Sequence, residues 1–408
     1  MGPLGIGVIG TGFAASAHVD AMRRIAGARL IAVAASSAEK ADSAARRFGA
    51  DRAYGDYRAL LEDDAVDVVH DCTPNDLHAA VNTAALEAGK HLLSEKPLAL
   101  DASETGSLAR QAATAGVVAG VCFNYRYFPL VRQLRAMLSS GDYGRPHLVR
   151  GVYLQDWLLE ETDWNWRLEA ARAGTSRAVG DIGSHWIDLA QHVTGDEIVA
   201  VCAVVGRLHD ERIRPANSAE TFVRTGGGEG ERVAVDTEDF ATVLVRFASG
   251  LPGMFAVSQV TAGRKNRLVL EVDTARASFA WNQEKPDELW IGRRDAPNAQ
   301  LVRDPALLEP TAAALAHYPG GHQEGWADAL RNLLLDFYAA VHARREGRDH
   351  QASFTTFAGA HATTTLVGAV LESARAGGWV EVEGQSSSSN AAPTLRAPHT
   401  RSSASFPG

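Results

Sequence analysis

The sequence predicts an α/β protein in two parts: a doubly wound parallel sheet first, then an α+β unit with a large, open, mostly antiparallel sheet. Three observations carry this. Short apolar runs alternate with helix-length amphipathic runs up to about Phe123, the pattern of successive β-α-β units. A glycine turn separates the first strand from the first helix. Beyond "NYRYFP" the β-rich runs become longer and follow one another across short polar or Gly-containing breaks.

In order, "LGIGVIG", "RLIAVAA", "VDVVHDCTP", "HLLSEKP" and "VVAGVCF" read as buried strands. "AASAHVDAMRRI", "AEKADSAARRFG", "LHAAVNTAALEAG" and "SETGSLARQAATAG" read as the helices between them. The second part offers "HLVRGVYLQDW", "IVAVCAVVGRL", "FATVLVRFASG", "LPGMFAVSQV", "RLVLEVDTARASFAW" and "DELWIG" as strands, with "VGDIGSHWIDLAQHVTG" a helix between the first two. Helices over about 324–345 and 358–376 precede a last strand, "GWVEVE". "RTGGGEGERVAVDTED" reads as an exposed hairpin tip, and the Ser- and Pro-rich end from residue 385 as a disordered tail. The expected divisions are therefore 1–124, 125–384 and 385–408.

Composition excludes several function classes. A net charge of −9 offers no basic field for nucleic acid or an anionic membrane. Cys72, Cys122 and Cys202 lie far apart within apolar runs, so neither a disulfide framework nor a metal-ligand spacing is present. The first residues lack the basic and apolar regions of a signal peptide, and no run approaches a membrane span. The expectation is a cytoplasmic protein.

"VIGTGFAASAH" places Gly10-x-Gly12-x-x-Ala15 directly between strand and helix. Gly10 permits a tight turn, Gly12 lets backbone approach a pyrophosphate, and Ala15 lets helix and strand pack closely. The carboxylate that commonly holds a ribose 2′-OH at the end of the second strand is missing. Ser36, Ser37 and Lys40 stand there instead. The cofactor is thus NAD or NADP, with a slight lean towards tolerance of the 2′-phosphate.

Ligands of open α/β sheets bind at the carboxyl ends of strands. There the sequence has Glu95-Lys96-Pro97, with a proline compatible with a cis bond, and Thr73, Pro74 and Asn75, with Asn75 or Asp76 capping the next helix. His78 follows on that helix. In "VGDIGSHWIDLAQHVTG", Asp181 and His185 share one helical face. A metal quartet of Asp181, His185, Asp188 and His192 would span about two turns, too far for one ion, so no metal is expected.

These motifs, G-x-G-x-x-A, T-P-N-x-x-H, E-K-P, N-Y-R-Y-x-P and D-I-G-S-H-x-x-D in that order, resemble the Gfo/Idh/MocA family of oxidoreductases over roughly Leu4–Glu383. The resemblance implies an N-terminal Rossmann domain and a C-terminal α/β domain on a large open sheet. It implies NAD or NADP acting on sugars, cyclitols and related small molecules, and dimers or tetramers assembled through that sheet. Carried over, the catalytic set is Lys96, Asp181 and His185. The departure is Ser37, where NADP-using relatives often carry Arg.

Oxidising a secondary alcohol requires a base with a pKa near the working pH, a role expected of His185. Lys96 would stabilise the developing charge on oxygen, and Asp181 would orient. For a carbohydrate ring, the sequence offers Asp156, Trp157, Trp164, Trp166 and Arg167, with Tyr125 and Arg126 at the domain junction. Phe13 is expected near the nicotinamide, and His322 closing the pocket or meeting a neighbouring subunit. No Arg/Lys cluster indicates a phosphorylated substrate, so a neutral sugar, anhydrosugar, glycoside or inositol is favoured. Two other readings stand beside this one. One is a cofactor-sensing regulatory protein without catalysis; the other is a same-fold enzyme on an aromatic dihydrodiol or tetrapyrrole.

Overall fold

The computed structural model describes residues 2–215 and 230–382. The tail from residue 385 and the glycine-rich part of the expected hairpin tip, 224–229, lie outside the described residues.

Strand β1 (Leu4–Ile9) is buried at every position, as a strand covered on both faces must be. It leads into α1 (Phe13–Arg23), β2 (Ala28–Ala34), α2 (Ala38–Phe48), β3 (Arg52–Tyr54) and α3 (Tyr57–Leu61). The alternation continues through β4 (Val68–Asp71), α4 (Asn75–Glu87), β5 (His91–Ser94), α5 (Ala102–Thr114) and β6 (Ala119–Val121). These strands pair in parallel in the order β6-β5-β4-β1-β2-β3. Strand order reverses between β1 and β4, which opens a crevice at their carboxyl ends. The sequence pattern did not reveal β3 or α3, each too short to show a period.

A 3₁₀ turn at Asn124–Tyr127 leads to α6 (Pro129–Ser139), β7 (Pro146–Leu154) and α7 (Ala170–Ala173). A π-helical turn at Val179–Gly183 then runs into α8 (Ser184–Thr194) and β8 (Ile198–Gly206). Strands β9 (Glu211–Pro215) and β10 (Gly230–Ala234) form a separate antiparallel ribbon. There follow β11 (Phe240–Phe247), β12 (Pro252–Ser258), β13 (Arg267–Thr274), β14 (Ser278–Asn282), β15 (Glu288–Gly292), β16 (Ala299–Val302) and α9 (Pro310–Ala313). The described chain ends with α10 (Trp326–Arg345), β17 (Thr355–Thr356), α11 (Phe357–Ala376) and β18 (Val380–Glu381).

The second sheet has nine strands in the order β16-β15-β14-β13-β7-β12-β11-β8-β18. Among the described residues its one parallel pair is β7 with β12. Helices α6, α8 and α11 pack on one face. Helix α8 seats closely because Gly151 of β7 lacks a side chain. A Cβ there would stand 2.3 Å from Trp186 Nε1 and 2.0 Å from Val269 O, where the indole N–H instead donates to that carbonyl. Trp186 also stacks on Phe255, centroids 4.5 Å apart. The late chain returns to the first sheet: β17 pairs antiparallel with β6, and α10 packs on α1.

Candidate active site

Gly10 ends β1 at φ +112°, a region open to glycine and strained for other residues. A Cβ there would lie 2.3 Å from the carbonyl oxygen of Cys72 at the end of β4. At Gly12, by contrast, nothing lies within 4 Å of a Cβ position. Helix α1 begins there with no side-chain cap, so its first N–H groups have no side-chain acceptor and an open approach. That fits a pyrophosphate. Ala15 is fully buried beneath the loop, while Phe13 is 60% exposed and its ring lies 5.8 Å from that of Trp326.

At the end of β2, Ser37 caps α2 by accepting the Lys40 N–H, and Lys40 Nζ donates to Ser36 Oγ at 3.2 Å. Two groups here escaped the sequence reading. Glu39 occupies the first turn of α2, and Arg47 at its far end donates to Thr11 O at 2.6 Å.

Lys96 follows β5, and its bond to Pro97 is cis. Its ammonium donates to Asp181 Oδ1 at 2.7 Å and Asp181 O at 2.8 Å. Asp181 Oδ2 accepts from Gln259 Nε2 at 2.9 Å, and Arg167 Nε lies 3.6 Å from Oδ1. Burial alone would raise the Asp181 carboxyl, but the charges of Lys96 and Arg167 hold it well below the usual range. His185 comes from the same helical segment, just past the π turn. Its ring lies among Tyr125, Phe123 and Tyr153, at centroid distances of 4.8, 5.5 and 6.1 Å. Burial first, and then the Lys96 charge, lower its pKa to about 3, so the imidazole is neutral at neutral pH but a weaker base in this unliganded cleft than the near-neutral value expected from the sequence. Lys96, Asp181 and His185 line one cleft of about 330 Å³, which Phe13 also lines.

Of the residues expected to meet substrate, Tyr125 and Arg167 line this cleft. Asp156 sits at its edge, accepting from Lys265 at 2.6 Å, and Lys265 lines the cleft. The three tryptophans do not line it. Trp164 is buried with Leu158 and Leu168, with Trp157 packed against that cluster, and Trp166 lies under Arg167 and Arg172. Their density reflects a local apolar cluster and cation–π contacts, which composition cannot distinguish from a sugar platform. Arg126 is turned away, held by both oxygens of Asp188. His322 is exposed outside the cleft; Trp326, a few residues on, lines it instead.

The residues expected around the nicotinamide ribose are also redistributed. Thr73 turns its hydroxyl onto Asp71 Oδ1 at 2.7 Å. Pro74, not Asn75 or Asp76, holds the N-cap position of α4, without a side-chain cap. Asn75 lines a neighbouring, largely apolar cavity of about 130 Å³ that shares Asp181 and Arg167 with the cleft. His78 is buried and bridges Pro97 O at 2.6 Å and Thr73 O at 2.9 Å, so it braces the two strand-end loops rather than facing the crevice. The four residues set aside above as a metal quartet point to different partners. Asp181 and His185 face the cleft, whereas Asp188 meets Arg126 and His192 lies against Arg135.

The amide-rich floor came from strand ends that show no motif. Tyr153 OH donates to Asn266 Oδ1 at 2.6 Å, Asn266 Nδ2 donates to Tyr125 OH at 3.2 Å, and the two hydroxyls are 2.7 Å apart. Gln155 Nε2 also donates to Asn266 Oδ1, at 3.0 Å. Behind Lys96 runs a buried chain. Glu95 Oε1 accepts from His18 Nε2 at 3.0 Å, so His18 Nδ1 accepts from His70 Nδ1 at 3.0 Å, and His70 Nε2 accepts from Tyr338 at 3.1 Å. Each of these four side chains thus has a partner within the chain. Burial would raise the Glu95 carboxyl, but His18 and Lys96 pull it down to about 2. Cys122 also lies within 4.8 Å of His18 and Glu95, but both His18 nitrogens are already engaged.

Residues 4–123 match the model of the oxidoreductase family with an NAD-binding Rossmann fold, and residues 131–280 match the GFO/IDH/MocA C-terminal domain. The chain is 33% identical over 333 residues to a levoglucosan dehydrogenase of Pseudarthrobacter phenanthrenivorans, covering 80% of this chain and 83% of the relative. A structure of levoglucosan dehydrogenase in complex with NADH and L-sorbose superposes with a TM-score of 0.84 at 31% identity, covering 94% of this chain and 100% of that one. An inositol dehydrogenase homologue from Azotobacter vinelandii, complexed with NAD⁺, gives 0.82 at 26% identity, covering 93% and 98%. The N-terminal unit is therefore an NAD-binding Rossmann domain, and the chain belongs to the Gfo/Idh/MocA family of oxidoreductases.

Proposed function

We propose that the protein oxidises a secondary hydroxyl of a neutral sugar, anhydrosugar, glycoside or inositol, or reduces the matching ketone. The observation that carries this is the convergence of Lys96, Asp181 and His185 in a cleft that opens beside the glycine loop. The substrates named for the similar proteins, levoglucosan and inositol, are of this class.

A bound nicotinamide supplies the hydride acceptor or donor. Neutral His185 takes the hydroxyl proton, a role typically worth ~10²–10⁴ in rate. Lys96 donates to the same oxygen as charge develops on it. Asp181 aims Lys96 through its carboxylate and carbonyl, while Gln259 fixes Asp181. Tyr125, Gln155 and Asn266 offer the neutral donors and acceptors that sugar hydroxyls use. Among the residues lining the cleft, the cations are Lys96, paired with Asp181, Lys265, paired with Asp156, and Arg167, near Asp181. That pairing favours an uncharged substrate.

NAD is the cofactor of the matched fold, and Lys40 and Arg47 beside the loop support tolerance of NADP. An oligomer formed through the open sheet is supported by Val204, Leu244 and Met254, large apolar side chains 70%, 45% and 40% exposed on its uncovered face. Among the described residues, no helix is long and apolar enough to cross a membrane.

The test is a screen of reduced-cofactor absorbance with NAD⁺ and NADP⁺ against levoglucosan, inositols, free hexoses and methyl glycosides. Turnover of at least one neutral polyol is expected. Cofactor binding without turnover of any of them would reject the substrate class, and failure to bind either cofactor would reject the whole reading.

A further inference from the structure

Beside the C-terminal end of α8, about two turns on from His185, lies a second cavity, of about 600 Å³. Its walls come from the 3₁₀ turn, α6, the C-terminal end of α8, and the approach to α11. Three arginines line it: Arg126, Arg132 and Arg135. Arg126 is neutralised by Asp188. Arg132 and Arg135 have no carboxylate within ion-pair distance among the described residues. Arg132 Nη1 donates to Ser353 Oγ at 2.9 Å, and Arg135 Nη1 donates to His192 O.

Leaving two half-buried guanidinium groups without counter-charge is costly. Burial, and then the neighbouring arginines, lower the pKa of Arg135; burial also dominates the lowering at Arg132. The acids nearby do not relieve this. Asp336 is engaged by Tyr127 OH, His350 Nε2 and the Ser353 N–H. Asp196 is engaged by Ser249, and Glu197 is exposed at the rim. Of the amide groups at the wall, Gln191 Oε1 is already engaged by the Ile198 N–H. His192 is 6% exposed, and its Nδ1 faces Arg135 Nη1 at 3.4 Å. A guanidinium only donates, so Nδ1 is the acceptor and the proton sits on Nε2, a buried atom without a partner. Arg132 Nε is likewise buried and unpartnered. The first turns of the twenty-residue α11, at Gly359 and Ala362, add the positive end of a helix dipole.

We propose that this cavity binds a phosphate-type oxyanion, either inorganic phosphate or the phosphate of a monoester, on Arg132 and Arg135. Such a ligand only accepts hydrogen bonds at its charged oxygens and matches forked guanidinium donors.

The test is calorimetric titration of the protein saturated with NADH, in a chloride buffer, so that the glycine loop is already filled. Inorganic phosphate is one probe and glucose 6-phosphate the other; the tighter of the two identifies the source. Binding of one equivalent is expected, weakened roughly tenfold or more in Arg132→Gln/Arg135→Gln and largely retained in Arg135→Lys. NADH affinity and sugar turnover should be unchanged in both variants. If the double variant does not fold, Arg135→Gln alone carries the same comparison. No heat with either probe at millimolar concentration, or undiminished binding in the folded glutamine variant, would overturn the proposal.

Discussion

Asp181→Asn is the change that interrogates the site most directly, because it preserves shape and removes one charge. Asp181 now accepts on both oxygens, from Lys96 on Oδ1 and from Gln259 on Oδ2. Asparagine has one acceptor and one donor end. If its oxygen stays on Lys96, its amide meets the Gln259 amide, donor against donor. Flipping Gln259 repairs that contact but turns its amide onto Arg177 Nη1, which now donates to Gln259 Oε1 at 3.1 Å. If the asparagine flips instead, its amide faces the Lys96 ammonium. No arrangement satisfies all partners.

The magnitude follows from burial. Removing one partner of a fully buried pair costs ~3–5 kcal/mol. Here 14% of the Lys96 side chain and 19% of Asp181 remain exposed, so about 2–3 kcal/mol is expected, or ~2–4 °C in Tm for a chain of 408 residues. The charge lost also supports His185 basicity against Lys96, so the base weakens while remaining in place. We expect kcat to fall roughly 10²-fold, the low end of what a positioned acid–base group contributes. Cofactor affinity, set by the glycine loop, should be unchanged in a fluorescence titration. A variant with kcat within twofold of the parent and an unchanged Tm would refute the coupling of Asp181 to Lys96 and His185.

Other outcomes follow from the same geometry. His185→Gln should lose ~10²–10⁴ in kcat with NADH affinity retained; near-parental turnover on the best substrate would remove His185 from the role of base. Gly10→Ala should abolish NADH binding and lower stability by more than ~1 kcal/mol, since φ is +112° and Cys72 O blocks the Cβ; a soluble variant with parental affinity would contradict this. Tyr338→Phe strips the donor from buried His70 Nε2 and should cost about 1–3 kcal/mol in a denaturant titration. The pH dependence has a definite sign: His185 has a folded pKa of about 3 against an ordinary ~6.5. Its contribution is complete above about pH 6.5 and is lost as pH falls towards 3, with a slope of up to ~1.4 kcal/mol per unit. His185→Phe should flatten the acid limb by about one proton, and an identical limb in parent and variant would refute burial of a neutral imidazole.

The parallel sheet was legible because fully buried strands and amphipathic helices differ in period, and the glycine loop because Gly10 has no substitute at its φ. Lys96, Asp181 and His185 were legible because their motifs lie at the ends of regular elements, where backbone geometry aims them. The pocket wall was not. Tyr153, Gln155 and Asn266 reach the cleft from strand ends brought together by β7 pairing with β12 and β13, a register that no local pattern encodes. The tryptophans misled for the converse reason: aromatic density measures apolar area, and here that area is spent on packing beside Leu158 and Leu168. Likewise β17, only two residues long, has no period to read, yet it ties the late chain to β6.

The π turn at Val179–Gly183 joins these two kinds of information. In the sequence, Asp181 and His185 are four apart and share a helical face in any regular α-helix. What the sequence does not show is that the Asp181 carbonyl accepts the Lys96 ammonium at 2.8 Å, alongside the carboxylate. In an unbroken α-helix that oxygen would be occupied by the N–H of residue 185. A wider turn lengthens the hydrogen-bond register and allows a main-chain acceptor to serve the ligand side, which is why such turns recur at functional sites. Lys96 is thereby fixed by two oxygens of one residue, at 2.7 and 2.8 Å. Only the carboxylate oxygen is open to substitution, so Asp181→Asn should loosen Lys96 without releasing it, and Lys96→Met should cost more than Asp181→Asn.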